Sequence, residues 1–264
     1  MNPAQVHRAA ELLSRSRLDG STIDELPDSC RPVNETEAYL IQDDLHECLR
    51  RTKFGRVAGH KIGCTTSVMQ DFLNIRNPCA GGVFASTAQN VEGIFEHEDY
   101  RHVGVECEIA VRLGAPLDSG GGFYNANSVA GAVAQVMPAI EIVDDRYDNY
   151  ASLGAPTLIA DDFFDAGCVL GDPVRDWRLL DLASIAGYMR INGIEVGRGR
   201  GGDIMGHPFT ALAWLANLFV QRGKVLAPGE FILLGSVVET KWVQMGDKVE
   251  IDIEGLGRAQ AQFP

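Results

Sequence analysis

Glu106 and Glu108 stand one residue apart in Val103-Gly104-Val105-Glu106-Cys107-Glu108-Ile109-Ala110-Val111. In an extended strand residues i and i+2 share a face, so both carboxylates would leave the chain on one side. Like charges held this close repel, and burial raises the cost. A divalent cation between them removes the conflict. Taken alone, an E-x-E pair more often marks the solvated face of an antiparallel strand, so the metal reading needs a third acid. Glu141, in Val136-Met137-Pro138-Ala139-Ile140-Glu141-Ile142-Val143-Asp144-Asp145-Arg146, is the candidate. It lies in a short apolar run, where an acid is expensive unless paired or ligating. Asp144 and Asp145 follow at once, and the acid count alone does not choose among them. Strand phase puts Glu141 and Val143 on one face, and Ile140, Ile142 and Asp144 on the other. Oxygen-only ligation suits Mg²⁺ or Mn²⁺. Zinc would call for a His or Cys pair at ligand spacing, which these acids lack.

Lys61 lies between two glycines in Ala58-Gly59-His60-Lys61-Ile62-Gly63-Cys64-Thr65-Thr66. From a strand end it would project into a pocket and respond to burial and to a nearby metal, an acid/base candidate. The plainer reading is a surface lysine on a strand edge. His60 points the other way by strand alternation. Gly197-Arg198-Gly199-Arg200-Gly201-Gly202 does not match G-x-x-x-x-G-K-[ST] and reads as a mobile loop. No G-x-S-x-G elbow occurs. His46-Glu47 would activate water only if its helix folded over the site; adjacent helical residues diverge by about 100°, so an ordinary exposed pair is expected.

These residues need elements to position them. Residues 3–17 form an amphipathic helix with Asn2 as cap, Pro3 in the first turn and Val6, Ala9, Ala10 and Leu13 as its stripe. A connecting loop spans residues 18–33. Asn34 and Glu37 resemble a capping box opening a second helix to about Arg51. Beyond Gly59 the texture turns to short β-rich runs, with strands expected over 58–63, 103–113, 133–143 and 166–170. Asn192-Gly193 marks a type I′ hairpin. Residues 208–221 form a helix stopped by Gly223, and 230–263 read as strands. The class is α+β with a mixed sheet, without regular βαβ alternation.

The whole chain is consistent with this. Its 264 residues suffice for one large core. A net charge of −13 argues against nucleic acid and anionic membrane surfaces as partners. No stretch approaches the roughly 20 apolar residues of a membrane span, and the N-terminus lacks a signal-peptide core. Six scattered cysteines without C-x-x-C suit reduced thiols in a cytoplasm.

Four segments occur in order: Gly59–Thr65, the E-x-E of Val105–Ala110, Pro138–Asp144, and His207-Pro208 with Ala211-Leu212-Ala213-Trp214-Leu215-Ala216. Together, over about residues 5–263, they resemble the 2-keto-4-pentenoate hydratase / 2-oxohex-3-enedioate decarboxylase group of the fumarylacetoacetate hydrolase superfamily. The resemblance implies that Glu106, Glu108 and Glu141 hold Mg²⁺ or Mn²⁺ and that Lys61 is the acid/base residue. Thr65 and Arg146 are then expected against the substrate. The implied fold is a mixed β-roll with N-terminal helices: residues 1–57 a helical region packed on the core, residues 58–264 the metal-binding catalytic roll. A homo-oligomer is implied, with association with a decarboxylase or hydratase of the same pathway as a further implication.

The implied activity, in aromatic catabolism, is hydration of a 2-hydroxypenta-2,4-dienoate to a 4-hydroxy-2-oxo acid. The substrate's carboxylate and 2-oxo oxygen chelate the cation, which takes up negative charge as an enolate forms. The same sink serves the alternatives: 2-oxohex-3-enedioate (4-oxalocrotonate) decarboxylation, then C–C bond hydrolysis. A non-catalytic partner subunit is the reading from another class. The sequence departs from the group at Ile159–Cys168, which is bulkier and more acidic than the usual polar segment, and at Pro78–Phe84. Both stretches are expected to line the pocket around the substrate tail.

Overall fold

The structure, a computed structural model, describes residues 1–22 and 25–264. It opens with helices α1 (Pro3–Asp19) and α2 (Glu35–Arg50). Asn2 accepts the Gln5 N–H, and Gln5 bonds back to the Asn2 backbone, closing a capping box. Gly20, at φ 69°, ends α1 two residues later than its apolar stripe suggested. Of the loop expected over 18–33, Ile23 and Asp24 lie outside the described residues. Ala9, Ala10 and Leu13 of α1 are buried with Ala38, Ile41, Leu45 and Leu49 of α2 in the main core.

The strands follow in chain order as β1 (Val57–Gly63), β2 (Cys79–Phe84), β3 (Ala88–Asn90), β4 (Glu92–Ile94), β5 (Val103–Leu113) and β6 (Val133–Asp144). A short helix, α3 (Ser67–Phe72), lies between β1 and β2, and α4 (Ala126–Val129) precedes β6. After β6 come α5 (Gly154–Ala160), β7 (Asp165–Leu170), the hairpin β8 (Ala186–Ile191) and β9 (Ile194–Arg200), then α6 (Pro208–Gln221). The chain ends in β10 (Phe231–Trp242), β11 (Lys248–Ile253) and β12 (Gly257–Gln262). Among the described residues these strands make two sheets, in the orders β2-β1-β10-β5-β6-β7-β3 and β4-β12-β11-β8-β9. The larger sheet mixes directions: β1 runs parallel to β10, whereas β5 is antiparallel to both β10 and β6.

Curvature of the larger sheet positions the site. β1 and β6 are three strands apart, about 14 Å on a flat sheet at ordinary strand spacing. β10, between β1 and β5, carries register irregularities at Leu233/Ser236, Ser236/Val238 and Val238/Lys241. Such bulges bend and twist a strand, and here they let side chains from β1 and β6 meet. The smaller sheet packs against the same strand without room for side chains. A Cβ on Gly199 would lie 1.8 Å from the Val237 carbonyl oxygen, and one on Gly197 would lie 2.3 Å from Val238 Cγ1.

This close packing corrects one expectation. The Gly197–Gly202 run is not a mobile loop: Gly197 to Arg200 complete β9, Gly197 and Gly199 serve the contact between sheets, and Gly201 and Gly202 lie against the backbone of Leu182 and Ala183. The hairpin turn is as anticipated, with Asn192 and Gly193 at φ 52° and 80°.

Candidate active site

Pairing of β5 with β6 brings the three glutamates together. Glu106 lies directly opposite Glu141, and Glu108 opposite Ala139, so all three side chains rise from one face of the sheet. One oxygen from each lies within 4.8 Å of the other two. Glu108 and Glu141 are each only 1% exposed, whereas Glu106 reaches the wall of a cavity. The Gly235 N–H donates to Glu108 Oε2 at 2.6 Å, and the Thr240 hydroxyl donates to Glu106. Gly235, at φ 129°, has no space for a side chain, because a Cβ would meet Thr65 Oγ1 at 2.6 Å.

Lys61, 3% exposed on β1, places Nζ 2.8 Å from Glu141 Oε1. Burial by itself would lower the ammonium's pKa. The carboxylates of Glu141 and Glu106 outweigh it and hold Lys61 above its ordinary value. Burial lifts Glu141 to about 7, with the Lys61 charge opposing and Glu106 adding to the rise. Glu108 is pushed well above the usual range by burial and then by its two acidic neighbours. His60 faces away from the acids, with its ring against Phe219 and Nε2 3.8 Å from Glu230.

The donor set fits a hard divalent cation. Although Lys61 Nζ is close, Glu141 Oε1 receives no well-directed hydrogen bond, an expensive state for a buried oxygen. Three carboxylates against one ammonium leave a formal charge of −2, which one such cation balances. Every available ligand atom is an oxygen, as Mg²⁺ and Mn²⁺ favour.

Beside the acids opens a cavity of about 410 Å³. Lys61, Glu106 and Thr65 lie on its wall, and Val143, Phe163, Phe164, Val237 and Trp242 make much of it apolar. Asp203 and Glu239 add negative charge. Among the described lining residues Lys61 is the only cation. Of the two divergent segments expected at the substrate tail, only the one carrying Phe163 and Phe164 lines this cavity. Residues 78–84 do not, because β2 pairs on the outer side of β1.

Arg146 is directed elsewhere. Its guanidinium donates to the Asp161 carboxylate at 2.8 Å and to the Asp165 carbonyl at 2.9 Å, and it borders a separate cavity. The strand's apolar run ends at Asp144, and the chain then turns so that Arg146 neutralises a buried acid. His46 also departs from expectation. It is only 17% exposed, with Nε2 2.7 Å from Asp162 Oδ1, while Glu47 stays on the surface.

Sequence reasoning missed the network that joins these groups. Arg17 of α1 meets Asp161 Oδ1 at 2.6 Å and Asp162 Oδ2 at 3.1 Å. The Tyr147 hydroxyl donates to Asp161, and the Gly82 N–H donates to Asp162. Burial would raise both acids. Arg146 and Arg17 nevertheless hold Asp161 below the ordinary range, and His46 and Arg17 hold Asp162 at about 2. The bonded segment is strained: Asp162, Phe163 and Phe164 have φ of 54°, 50° and 67° in succession. Left-handed non-glycine residues cost about 1–3 kcal/mol each. The acids in an apolar stretch were a visible signal, but two of their partners, Arg17 and His46, lie over a hundred residues away. A Cβ on Gly81 would lie 2.5 Å from the Asp162 carbonyl oxygen. Gly81→Ala is expected to destabilise the fold by about 1–3 kcal/mol, read from denaturant melts; an unchanged midpoint would show that the turn yields freely.

A mixed-sheet α+β roll presenting three convergent carboxylates and a buried lysine defines a class of enzyme-like metal centres. The comparisons name the family. The model for the fumarylacetoacetate (FAA) hydrolase C-terminal region matches residues 75–263, and the chain belongs to this family. It is 32% identical over 264 residues to a 2-keto-4-pentenoate hydratase of Paraburkholderia xenovorans (strain LB400), covering 100% of this chain and 96% of that one. It is 27% identical over 263 residues to a 4-oxalocrotonate decarboxylase of Pseudomonas putida, covering 100% and 98%. The solved 4-oxalocrotonate decarboxylase from Pseudomonas putida G7, complexed with magnesium and adipate, superposes with a TM-score of 0.92 at 25% identity, covering 100% and 99%. No helix among the described residues is long and apolar enough to cross a membrane.

Proposed function

We propose that this chain is a divalent-metal-dependent hydratase that adds water to a 2-hydroxy-2,4-dienoate with an uncharged tail, giving a 4-hydroxy-2-oxo acid. The observation that carries this reading is the convergence of three buried or half-buried carboxylates and Lys61 at one end of an apolar cavity. Glu106, Glu108 and Glu141 would hold Mg²⁺ or Mn²⁺. When bound, the cation supplies Lewis-acid stabilisation of negative charge on a 2-oxo oxygen.

The residues divide the remaining work. Lys61, held as an ammonium by Glu141 and Glu106, is the proton donor to the far carbon C5 of the dienoate, and the proton released from the 2-hydroxyl restores the ammonium. The resulting 3-ene-2-oxo acid then takes up water, hydroxyl at C4 and hydrogen at C3. Thr65 and Ser236 offer hydroxyls on the same wall. Phe163, Phe164 and Trp242 shield the hydrocarbon portion from solvent.

Hydration is favoured over 4-oxalocrotonate decarboxylation by the cavity's charge. A tail carboxylate would meet Asp203 and Glu239 with no described cation other than the lysine already paired to Glu141. The structural likeness to the decarboxylase keeps that activity as the second reading. Purified protein with Mg²⁺ should bleach the ultraviolet absorbance of 2-hydroxypenta-2,4-dienoate and release no CO₂ from 2-oxohex-3-enedioate. Glu106→Gln should reduce metal affinity by more than the roughly 10–100-fold typical of outer-shell changes. Unchanged metal binding and turnover in that variant would remove the assignment, and CO₂ release would transfer it to decarboxylation. We further propose, from the family resemblance, a homo-oligomer in the cytoplasm, testable by light scattering and fractionation.

A further inference from the structure

The left-handed turn at 162–164 sets two rings on the cavity wall, Phe163 and Phe164, and Phe163 is the one beside Lys61. Joining α5 to β7 does not itself demand three consecutive left-handed residues, and such backbone persists only where the surroundings over-determine it. Here they do. His46 from α2 and the Gly82 N–H both meet Asp162 Oδ1, and Arg17 from α1 pairs with Oδ2 on the other side. With Asp162 ionised, His46 must carry its proton on Nε2 and donate. Gly81 and Gly63 leave room for the turn: a Cβ on Gly63 would stand 3.0 Å from the Phe163 ring. The ring centroid lies 5.3 Å from Lys61 Nζ, and the ring is a wall of the cavity. Phe163 also packs edge-on against Phe164, with centroids 5.4 Å apart, so it has little freedom to swing.

We propose that Phe163 is the specificity-determining residue for the substrate tail, and that His46 and Arg17 are positioning residues acting on it through Asp162. The inference rests on the 2-oxo-acid site proposed above. If Lys61 delivers a proton to the substrate chain, the carbons beyond it must run along the Phe163 ring. A ring held by helices remote in sequence then sets the length and width of tail that fits. The N-terminal helices thus shape the site without touching substrate.

The test uses Mn²⁺-loaded full-length protein and calorimetric titration with 2-oxobutanoate, 2-oxopentanoate, 2-oxohexanoate and 2-oxoheptanoate, which read the tail without turnover. Opening the wall in Phe163→Ala should shift the ratio of long-tail to short-tail affinity by about ten-fold, the scale of a methylene's fit in an apolar pocket. Phe163→Tyr, which keeps the ring, should retain the wild-type ratio. His46→Leu should move the ratio in the same direction with Mn²⁺ affinity unchanged, and His46→Gln, which keeps a donor to Asp162, should restore it. A Phe163→Ala protein that weakens all four ligands equally overturns the specificity role. A His46→Leu protein that melts lower yet keeps the wild-type ratio overturns the positioning role. Wild-type protein that binds none of the four ligands overturns the underlying site reading instead, so the failures are distinguishable.

Discussion

Lys61→Met lowers kcat for dienoate hydration by roughly 10²–10⁴-fold, the range ascribed to a positioned general acid or base, while divalent-cation binding survives or tightens. The sign of the second effect follows from charge. Lys61 Nζ sits 2.8 Å from Glu141 Oε1, so the ammonium and a cation compete for the same oxygen. Removing the ammonium leaves the carboxylates with more negative charge to be balanced, which favours a bound cation. It also makes the metal-free fold less stable at neutral pH, because a buried carboxylate loses its partner. Single-turnover kinetics and Mn²⁺ titration of the same preparation check both parts. Loss of turnover accompanied by loss of metal affinity would mean that Lys61 serves the site's architecture and not proton transfer.

Stripping the metal with a chelator abolishes turnover and makes stability depend on pH in a stated direction. Glu141 is raised to about 7, and Glu108 and Asp165 are pushed well above the usual range, all chiefly by burial. The metal-free fold therefore prefers these groups neutral. The stability they lend is fully present below their ordinary values and is lost as pH rises above them, for Glu141 through about 7. Asp162 behaves oppositely but far from that window, since its contribution disappears only as pH falls toward about 2. A bound cation reverses the preference at the glutamates, because ligation needs them ionised, and its affinity climbs as competing protons leave. At a thousand-fold excess over Kd the cation stabilises by about 4 kcal/mol. At roughly 2–4 °C per kcal/mol for a chain approaching this size, that raises the melting midpoint by about 10 °C. Metal-free protein should melt lower at pH 8 than at pH 6, and Mn²⁺ should restore more at pH 8. A shift equal at both pH values would show that the three carboxylates are not its ligands.

The acids and the lysine were legible because strand periodicity is local. Period two puts Glu106 beside Glu108 on one face, and an acid within the apolar run around Glu141 signals a cost that something must offset. The hairpin at Asn192-Gly193 and the helix over Pro208–Gln221 were legible for the same reason: turn chemistry and capping act within a few residues. Arg146 was misplaced because its sequence neighbourhood says only that it follows a strand. Its partner, Asp161, is chosen by a later turn. The glycine run at 197–202 was misread as free chain because close packing of another sheet also demands glycine, and that sheet was invisible from the residues themselves.

The sequence by itself determined which chemistry is available: oxygen ligands, one amine and the strands that carry them, all set by side-chain type and short-range periodicity. Tertiary structure decided which of these meet. Register fixed Glu106 opposite Glu141, the bulges of β10 curved the sheet until Lys61 reached across it, and Arg17 and His46 locked a left-handed turn that sets Phe163 in the cavity wall. Each of these depends on contacts between residues far apart in the chain, and the free energy of such contacts is not written in any local pattern.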